Sequence, residues 1–190
     1  MTTFNAYHFT GSTLRDGRPV PAIGETLVHS GPIVWCESGL YASRAAWDAL
    51  RYAPGPILHR VLAQDIERED GDKLVCRRRT IVASIDATHL LRRFAADQAL
   101  SVAHLWDMPD MVRDYLTTLD EEKRDAAWDA AWEASAEAAA WAAWAAEAAA
   151  RAARAASEAA WAAAWGVARL ARPNEAAADF NARVDAAFAA

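Results

Sequence analysis

From residue 121 to residue 172 the chain contains no proline, a single glycine (Gly166), and alanine at about half of its positions. Alanine is the strongest helix former and nothing in this stretch interrupts a helix, so the pattern predicts one rod over residues 120 to 172. At a rise of 1.5 Å per residue the rod would be roughly 78 Å long. A head of about 120 residues has a radius of gyration of only about 14 Å, too small to cover it. With about 100° of turn per residue, Asp129, Glu133, Glu137, Glu147, Arg151, Arg154, Glu158 and Arg169 fall in one polar stripe. Ala127, Ala131, Ala138, Ala142, Ala145, Ala149, Ala156, Ala160 and Ala163 line the opposite side, flanked by Trp128, Trp132, Trp141 and Trp161. Small side chains let helix axes approach closely, and the indoles need a surface to bury against. The expected partner is another copy of the chain, giving a homo-oligomer joined through this coiled-coil-like helix; the alternative is a lone, solvated alanine helix or one bent back as a hairpin.

The remainder reads as an α+β head over residues 1 to 119 and a short amphipathic helix over 173 to 190, carrying Phe180, Val184 and Phe188. Residues 4 to 10 alternate as a strand, with Tyr7 and Phe9 on one face and His8 and Thr10 on the other. The loop DGRPVPAIGE follows, then short strand candidates at 27 to 29 and 33 to 36. Ser43 is the expected N-cap of a helix carrying Trp47, Leu50 and Arg51, which Pro54-Gly55-Pro56 must end. The two strongest strands are 57 to 63 and 73 to 85, joined through the acidic turn Glu69-Asp70-Gly71-Asp72. Asp86 is placed to cap a helix with Leu90, Leu91 and Phe94 inward, and another helix runs from Asp107 or Pro109 to about Leu119. The expected fold is therefore a small, mainly antiparallel sheet with helices, followed by the long helix.

A formal net charge of −6 argues against a nucleic-acid partner, since neutralising phosphates needs an excess of Lys and Arg. The first residues, MTTFNAYHFT, carry no basic segment leading into an apolar one, and no charge-free run approaches the length that spans a bilayer, so no membrane partner is expected. Cys36 and Cys76 form no CxxC pair, and no His or Cys spacing signals a metal. A cytoplasmic setting is the expectation. There is no GxGxxG, GxxxxGK or GxSxG, so no catalytic residue set and no cofactor is signalled.

What could bind is an anion. Strand alternation puts Lys73, Arg77 and Arg79 on one face and Arg78 on the other, and guanidinium groups suit phosphates or carboxylates. A solvated edge strand, or pairing with Glu67, Glu69 and Asp70, explains the same residues. His8 reads either as a ligand histidine or as a partly buried one satisfied within the fold. Asp65, Glu67, Glu69, Asp70 and Asp72 lack the order of a calcium loop and read as a solvated turn.

Two resemblances add to this. The segments GETLVHSGPIVWCESGLYAS, ALRYAPGP and DKLVCRRRTIVA resemble a widespread family of uncharacterised phage and prophage proteins over residues 4 to 95, whose members often carry Trp-Ala-rich tails. That implies a viral accessory protein in a bacterial cytoplasm. Tyr7-His8-Phe9-Thr10, then Gly39-Leu40-Tyr41-Ala42-Ser43 and the strand 57 to 61, are similar in order to ADP-ribosyltransferases. There a strand histidine and a later tyrosine grip a nicotinamide dinucleotide, which implies those roles for His8 and Tyr41. The family's catalytic glutamate has no counterpart, because the corresponding strand reads Arg77-Arg78-Arg79-Thr80-Ile81-Val82; an enzyme would need a carboxylate near His8 and Tyr41, for which Glu37 is the candidate by sequence proximity. The expectation is a non-enzymatic oligomer that sequesters a small nucleotide-like ligand, such as a host immune signal, through His8, Thr10, Tyr41, Ser43, Lys73, Arg77 and Arg79. The alternatives are a divergent ADP-ribosyltransferase-like or nucleotide-cleaving enzyme, and a structural or protein-interaction module.

Overall fold

The structure is a computed structural model that describes residues 3 to 105, 107 to 133 and 173 to 190. It is α+β, with a five-stranded antiparallel sheet and helices. The strands are β1 (Thr3–Thr10), β2 (Thr26–Val28), β3 (Leu40–Ala42), β4 (Ile57–Asp70) and β5 (Lys73–Asp86). The helices are α1 (Ala46–Leu50), α2 (Thr88–Ser101), α3 (Asp110–Thr118), α4 (Arg124–Glu133) and α5 (Pro173–Ala189), with 3-10 turns at Ala103–Leu105 and Glu121–Lys123. Residues 134 to 172 of the expected rod lie outside the described residues, and the part of the stretch that is described holds the 3-10 turn and α4. No helix of the described residues is long and apolar enough to cross a membrane.

The chain divides into two compact units, Met1–Ala87 with Asn181–Ala190, and Thr88–Phe180. The division falls after Ala87 rather than at residue 119, and α5 supplies residues to both units.

The β4–β5 hairpin organises the first unit. Its turn, Gly71 at φ 60°, is the acidic turn expected from sequence, and both strands run to 14 residues, longer than their apolar alternation indicates. β1 pairs with β4 in a register that sets His8 opposite His59 and Ala6 opposite Val61. Along the far edge of β5, β3 pairs with Leu74, Val75 and Cys76, and β2 with Arg78, Arg79 and Thr80. The next residue after β3 then crosses to the other side of the sheet. Tyr7 N–H donates to Ser43 O at 2.7 Å and Ser43 N–H to Tyr7 O at 2.9 Å. Residues 40 to 43 thus bond to β5 and to β1, closing the sheet on itself. Ala6, Ala42, Val61, Ala63, Leu74, Cys76 and Ile81 pack inside as one buried cluster. A register shift between Arg60 and Val61, and another near Ile66 where Asp65 adopts φ 54°, supply the local twist that such curling needs.

Several local expectations change. Residues 33 to 36 form no strand, a turn covers residues 35 to 37, and the strand lies at Leu40–Ala42 instead. Ser43 does not cap α1: the N-cap is Ala45, without a side-chain bond, and both backbone groups of Ser43 are committed to Tyr7. The face of β1 that carries His8 and Thr10 is the inner face, while Tyr7 and Phe9 point to the side covered by the second half of α5. There Tyr7 Oη donates to Asp185 at 2.7 Å, Arg60 reaches the same carboxylate at 2.9 Å, and its guanidinium lies 4.7 Å from the centre of the Phe188 ring. Asn181 Oδ1 accepts from the Trp47 N–H of α1 at 2.9 Å.

In the second unit, Ala96, Ala99, Val112, Tyr115, Leu116, Ala127 and Ala131 share one buried core. Phe94 and Phe180 meet edge to face at 5.1 Å. Arg93 donates to the last carbonyls of α3, at Leu116 and Thr117, where a cation is favoured. The first two members of the alanine stripe, Ala127 and Ala131, are therefore buried against the chain's own helices.

Gly55 tests the closed architecture. A Cβ there would lie 2.5 Å from Gly11 Cα and 2.9 Å from Thr10 O, against backbone that cannot move without disturbing the end of β1. Gly55→Ala is expected to cost about 1–3 kcal/mol in denaturant unfolding. Gly31→Ala, whose added Cβ would meet only His29 ring atoms at 3.5 Å or beyond, is expected to stay near the parent value.

Candidate functional site

The inner face of the closed sheet holds three basic side chains among its apolar ones. His8 of β1 and His59 of β4 are directly opposed, and Arg79 of β5 stands opposite Ala63, two inward positions further along the same interior, beyond the Val61–Ile81 pair. His59 is only 2% exposed and has both ring nitrogens occupied: Nε2 by Thr10 Oγ1 at 2.9 Å, Nδ1 by Ser84 Oγ at 2.6 Å. One hydroxyl must donate and the other accept, because a neutral imidazole offers one donor and one acceptor. Burial, with a smaller push from the Arg79 charge, lowers the His59 pKa to about 4. Burial likewise holds His8 well below the ordinary histidine range, assisted by Arg79 and His59. His8 still keeps part of its surface exposed. Both rings are therefore neutral at pH 7, the form that can accept as well as donate.

Arg79 is the unusual member. It is 5% exposed, and its one hydrogen bond among the described residues runs from Nη1 to the carbonyl of Tyr41. No carboxylate of the described residues pairs with it, although Arg44, Arg51, Arg60, Arg68, Arg77 and Arg78 each have one. Burial accordingly lowers its pKa to about 10, still charged at neutral pH. Among the described residues the side-chain nitrogens and oxygens sealed without a partner are Arg92 Nε and Tyr115 Oη. The Arg79 N–H groups that make no bond within the fold are thus in contact with solvent, and the charge is desolvated but open on one side. Such a group favours an anion, since a buried cation without a counter-ion is costly.

The other residues expected from sequence are distributed differently. Thr10 is part of the histidine ladder, and Ser43 is a buried backbone closure. Arg77 is engaged by Glu67 at 2.5 Å and by the carbonyl of Gly31 at 3.1 Å. Tyr41 and Lys73 lie away from that interior, with the Lys73 ammonium beside the Tyr41 and Trp35 rings. Lys73, Arg77 and Arg79 therefore do not make one anionic-ligand patch: alternation places them on one side, but only Arg79 reaches the interior of the curled sheet. His8 and Tyr41 likewise face different surroundings, His8 toward His59 and Arg79, Tyr41 toward Trp35 and the Cys36 backbone. Glu37 is exposed on the turn before β3. His59 went unnoticed in the sequence because it sits in an apolar strand; the signal that could have found it is its register opposite His8. Among the described residues no group of three His, Cys, Asp or Glu side chains is gathered as for a metal ion.

No protein-family model, no curated protein and no solved structure matches the chain.

The histidine cluster makes stability pH-dependent with a defined sign. His59 binds a proton near pH 4 when folded and near the ordinary 6.5 when unfolded. Between these values the unfolded chain holds more protons, so the stabilisation is present above about pH 6.5 and is lost as pH falls toward 4. The full contribution of His59 is on the order of 3 kcal/mol, and His8 acts in the same direction. Urea unfolding at several pH values should show this loss, and His59→Gln should flatten the slope between pH 6.5 and 4 whatever its effect on stability at pH 7.

Proposed function

We propose that the chain is a non-enzymatic binding protein that sequesters a small phosphorylated, nucleotide-like ligand at the inner face of the closed sheet. The observation that carries this reading is Arg79, a buried guanidinium whose one bonded partner among the described residues is a backbone carbonyl, with no carboxylate of those residues paired to it. A phosphate oxygen would complete its fork, and His8, neutral and partly exposed, would donate beside it. Binding requires no general acid or base, and a pair of neutral imidazoles next to a fixed cation is poorly suited to deliver a proton at neutral pH. A bacterial cytoplasm as the setting and a host signalling nucleotide as the cargo belong to the same proposal, and rest on the resemblance of residues 4 to 95 to phage proteins alone.

Calorimetry of the full chain against inorganic phosphate, ADP-ribose and a set of cyclic dinucleotides tests the reading. Arg79→Gln should weaken binding at least about tenfold, the value of a lost charge-assisted contact. Arg79→Lys should recover it only in part, because an ammonium lacks the planar fork. Arg77→Ala should change affinity less than about threefold, since Glu67 and Gly31 already occupy that side chain. No binding across the set overturns the proposal, and recovery of a cleaved nucleotide would replace the binder by an enzyme.

The same proposal includes assembly through residues 134 to 172, where the alanine stripe continues beyond Ala131. Replacing Ala138, Ala142, Ala145 and Ala149 together by Glu should lower the particle mass measured by light scattering, because charges would stand where helices touch. An unchanged mass would remove assembly from the proposal. Truncation from residue 121 onward is the wrong tool, since Asn181 and Asp185 are bonded into the first unit.

A further inference from the structure

A groove of about 540 Å³ lies beside the β4–β5 turn, lined by Trp35, Asp48, Arg51, Asp70, Gly71, Asp72 and Lys73. Lys73 crosses it. Its ammonium stands 5.0 Å from the centre of the Trp35 ring, 5.0 Å from that of Tyr52 and 6.0 Å from that of Tyr41. Trp35 and Tyr41 meet edge-on, with centres 5.9 Å apart and an angle of 61°, so they form two walls of a corner. The walls are fixed in place. Tyr41 Oη accepts from the Cys36 N–H at 2.6 Å, and Tyr52 Oη donates to Asp72 at 2.7 Å. Three aromatic faces around one cation form the arrangement that attracts an ammonium group through the ring quadrupoles.

The resident cation is poorly matched to this place. An ammonium is a compact, strongly hydrated charge that wants three good acceptors. Lys73 has one hydrogen bond within the described residues, to the Cys36 thiol sulfur at 3.2 Å, and sulfur is a weak acceptor. The three aspartates that line the groove do not pair with it: Asp72 takes Arg51 and Tyr52, and Asp70 takes Arg68. Their carboxylates outnumber the cations of the lining and make the groove unsuited to an anion. Asp48 reflects the same field, its pKa raised by burial and then by the charge of Asp72.

We infer that the Trp35, Tyr41 and Tyr52 cage is a binding site for a quaternary ammonium group, with Lys73 as a built-in occupant that the ligand displaces. A trimethylated nitrogen has no N–H to satisfy and less hydration to lose than an ammonium, so it gains more from the ring attraction on entering. Displacement exchanges one positive charge for another and leaves the balance with Asp48, Asp70 and Asp72 unchanged. The four-carbon stem of Lys73, at the first position of β5, can swing its ammonium into water. The group can arrive on a free small molecule of the choline type or on a trimethyl-lysine side chain.

The test is calorimetry of the full chain with tetramethylammonium, choline, a short trimethyl-lysine peptide, methylammonium, and 3,3-dimethylbutan-1-ol as the uncharged isostere of choline. Tetramethylammonium and choline are expected to bind at least about tenfold more tightly than methylammonium or the uncharged isostere. The peptide binding more tightly than choline would identify a side-chain source, and the reverse a free molecule. Lys73→Ser should strengthen choline binding several-fold by removing the competitor, whereas Tyr52→Ala, at a half-exposed ring, should weaken it roughly three- to tenfold. Circular dichroism melts of both variants confirm that the fold is kept. The inference is overturned if neither the parent nor Lys73→Ser binds choline, if the uncharged isostere binds as well as choline, or if Lys73→Ser weakens binding.

Discussion

The reciprocal hydrogen bonds between Ser43 and Tyr7 decide what the first unit can be. Without them β3 would be one more short strand on the edge of β5, and the face of β1 bearing His8 would be open to water. With them a single segment, residues 40 to 43, is bonded to the last strand of the sheet and to the first, and the enclosed face becomes an interior. Thr10, His59 and Arg79 on that face are then buried, while His8 keeps part of its surface exposed. His59 needs both hydroxyl partners because of this closure, and Arg79 is desolvated by it. The same closure accounts for the direction in which both histidines titrate, since burial is the leading cause for each.

Closure also explains which parts of the structure were legible in the sequence. The β4–β5 hairpin announced itself by two β-rich runs around Asp70-Gly71-Asp72, and α3 by the proline before it and its apolar spacing. β1 was legible as a strand, but its faces were not interpretable from alternation alone. Tyr7 and Phe9 form the more apolar face and yet cover the sheet from outside, while His8 and Thr10 point in. A strand of a closed sheet covered on its outer side has no solvent face, so the polar and apolar sets do not sort by exposure. β3 was invisible as a strand for another reason: three residues, Leu40-Tyr41-Ala42, carry too little pattern, and their conformation is imposed by pairing partners more than thirty residues away.

The candidate site was half legible. His8 and Arg79 were identifiable as residue types that bind anions, but that they share an interior follows from register, which a sequence without its pairing does not state. Lys73 and Arg77 shared the parity of Arg79 and were grouped with it. Bulges at Asp65 and beyond Arg60 change the direction of the strands, and local acids bind what remains outside, as Glu67 does with Arg77. The alanine stripe shows a related limit. Its periodicity correctly marks a buried face at Ala127 and Ala131, yet those two pack on α3 and its neighbours, so periodicity gives the fact of burial and leaves the identity of the partner to the fold.

Tyr41 shows how the two binding environments of this unit divide the basic residues between them. Its carbonyl receives Arg79 from the inner face, and its ring faces Lys73 on the outer one. The two cations could not exchange places. Inside, a planar and weakly hydrated guanidinium tolerates loss of water and can spend one N–H on the Tyr41 carbonyl. An ammonium there would lose more hydration and could not present a fork to a phosphate. Outside, the ring faces reward charge but offer no acceptors, which suits a cation with nothing to donate and leaves lysine under-satisfied. On the proposed reading, the inner position would take an anion that completes an arginine, and the outer one a cation that outcompetes a lysine. A three-residue strand separates these opposite preferences because adjacent atoms of one residue point to opposite sides of the sheet.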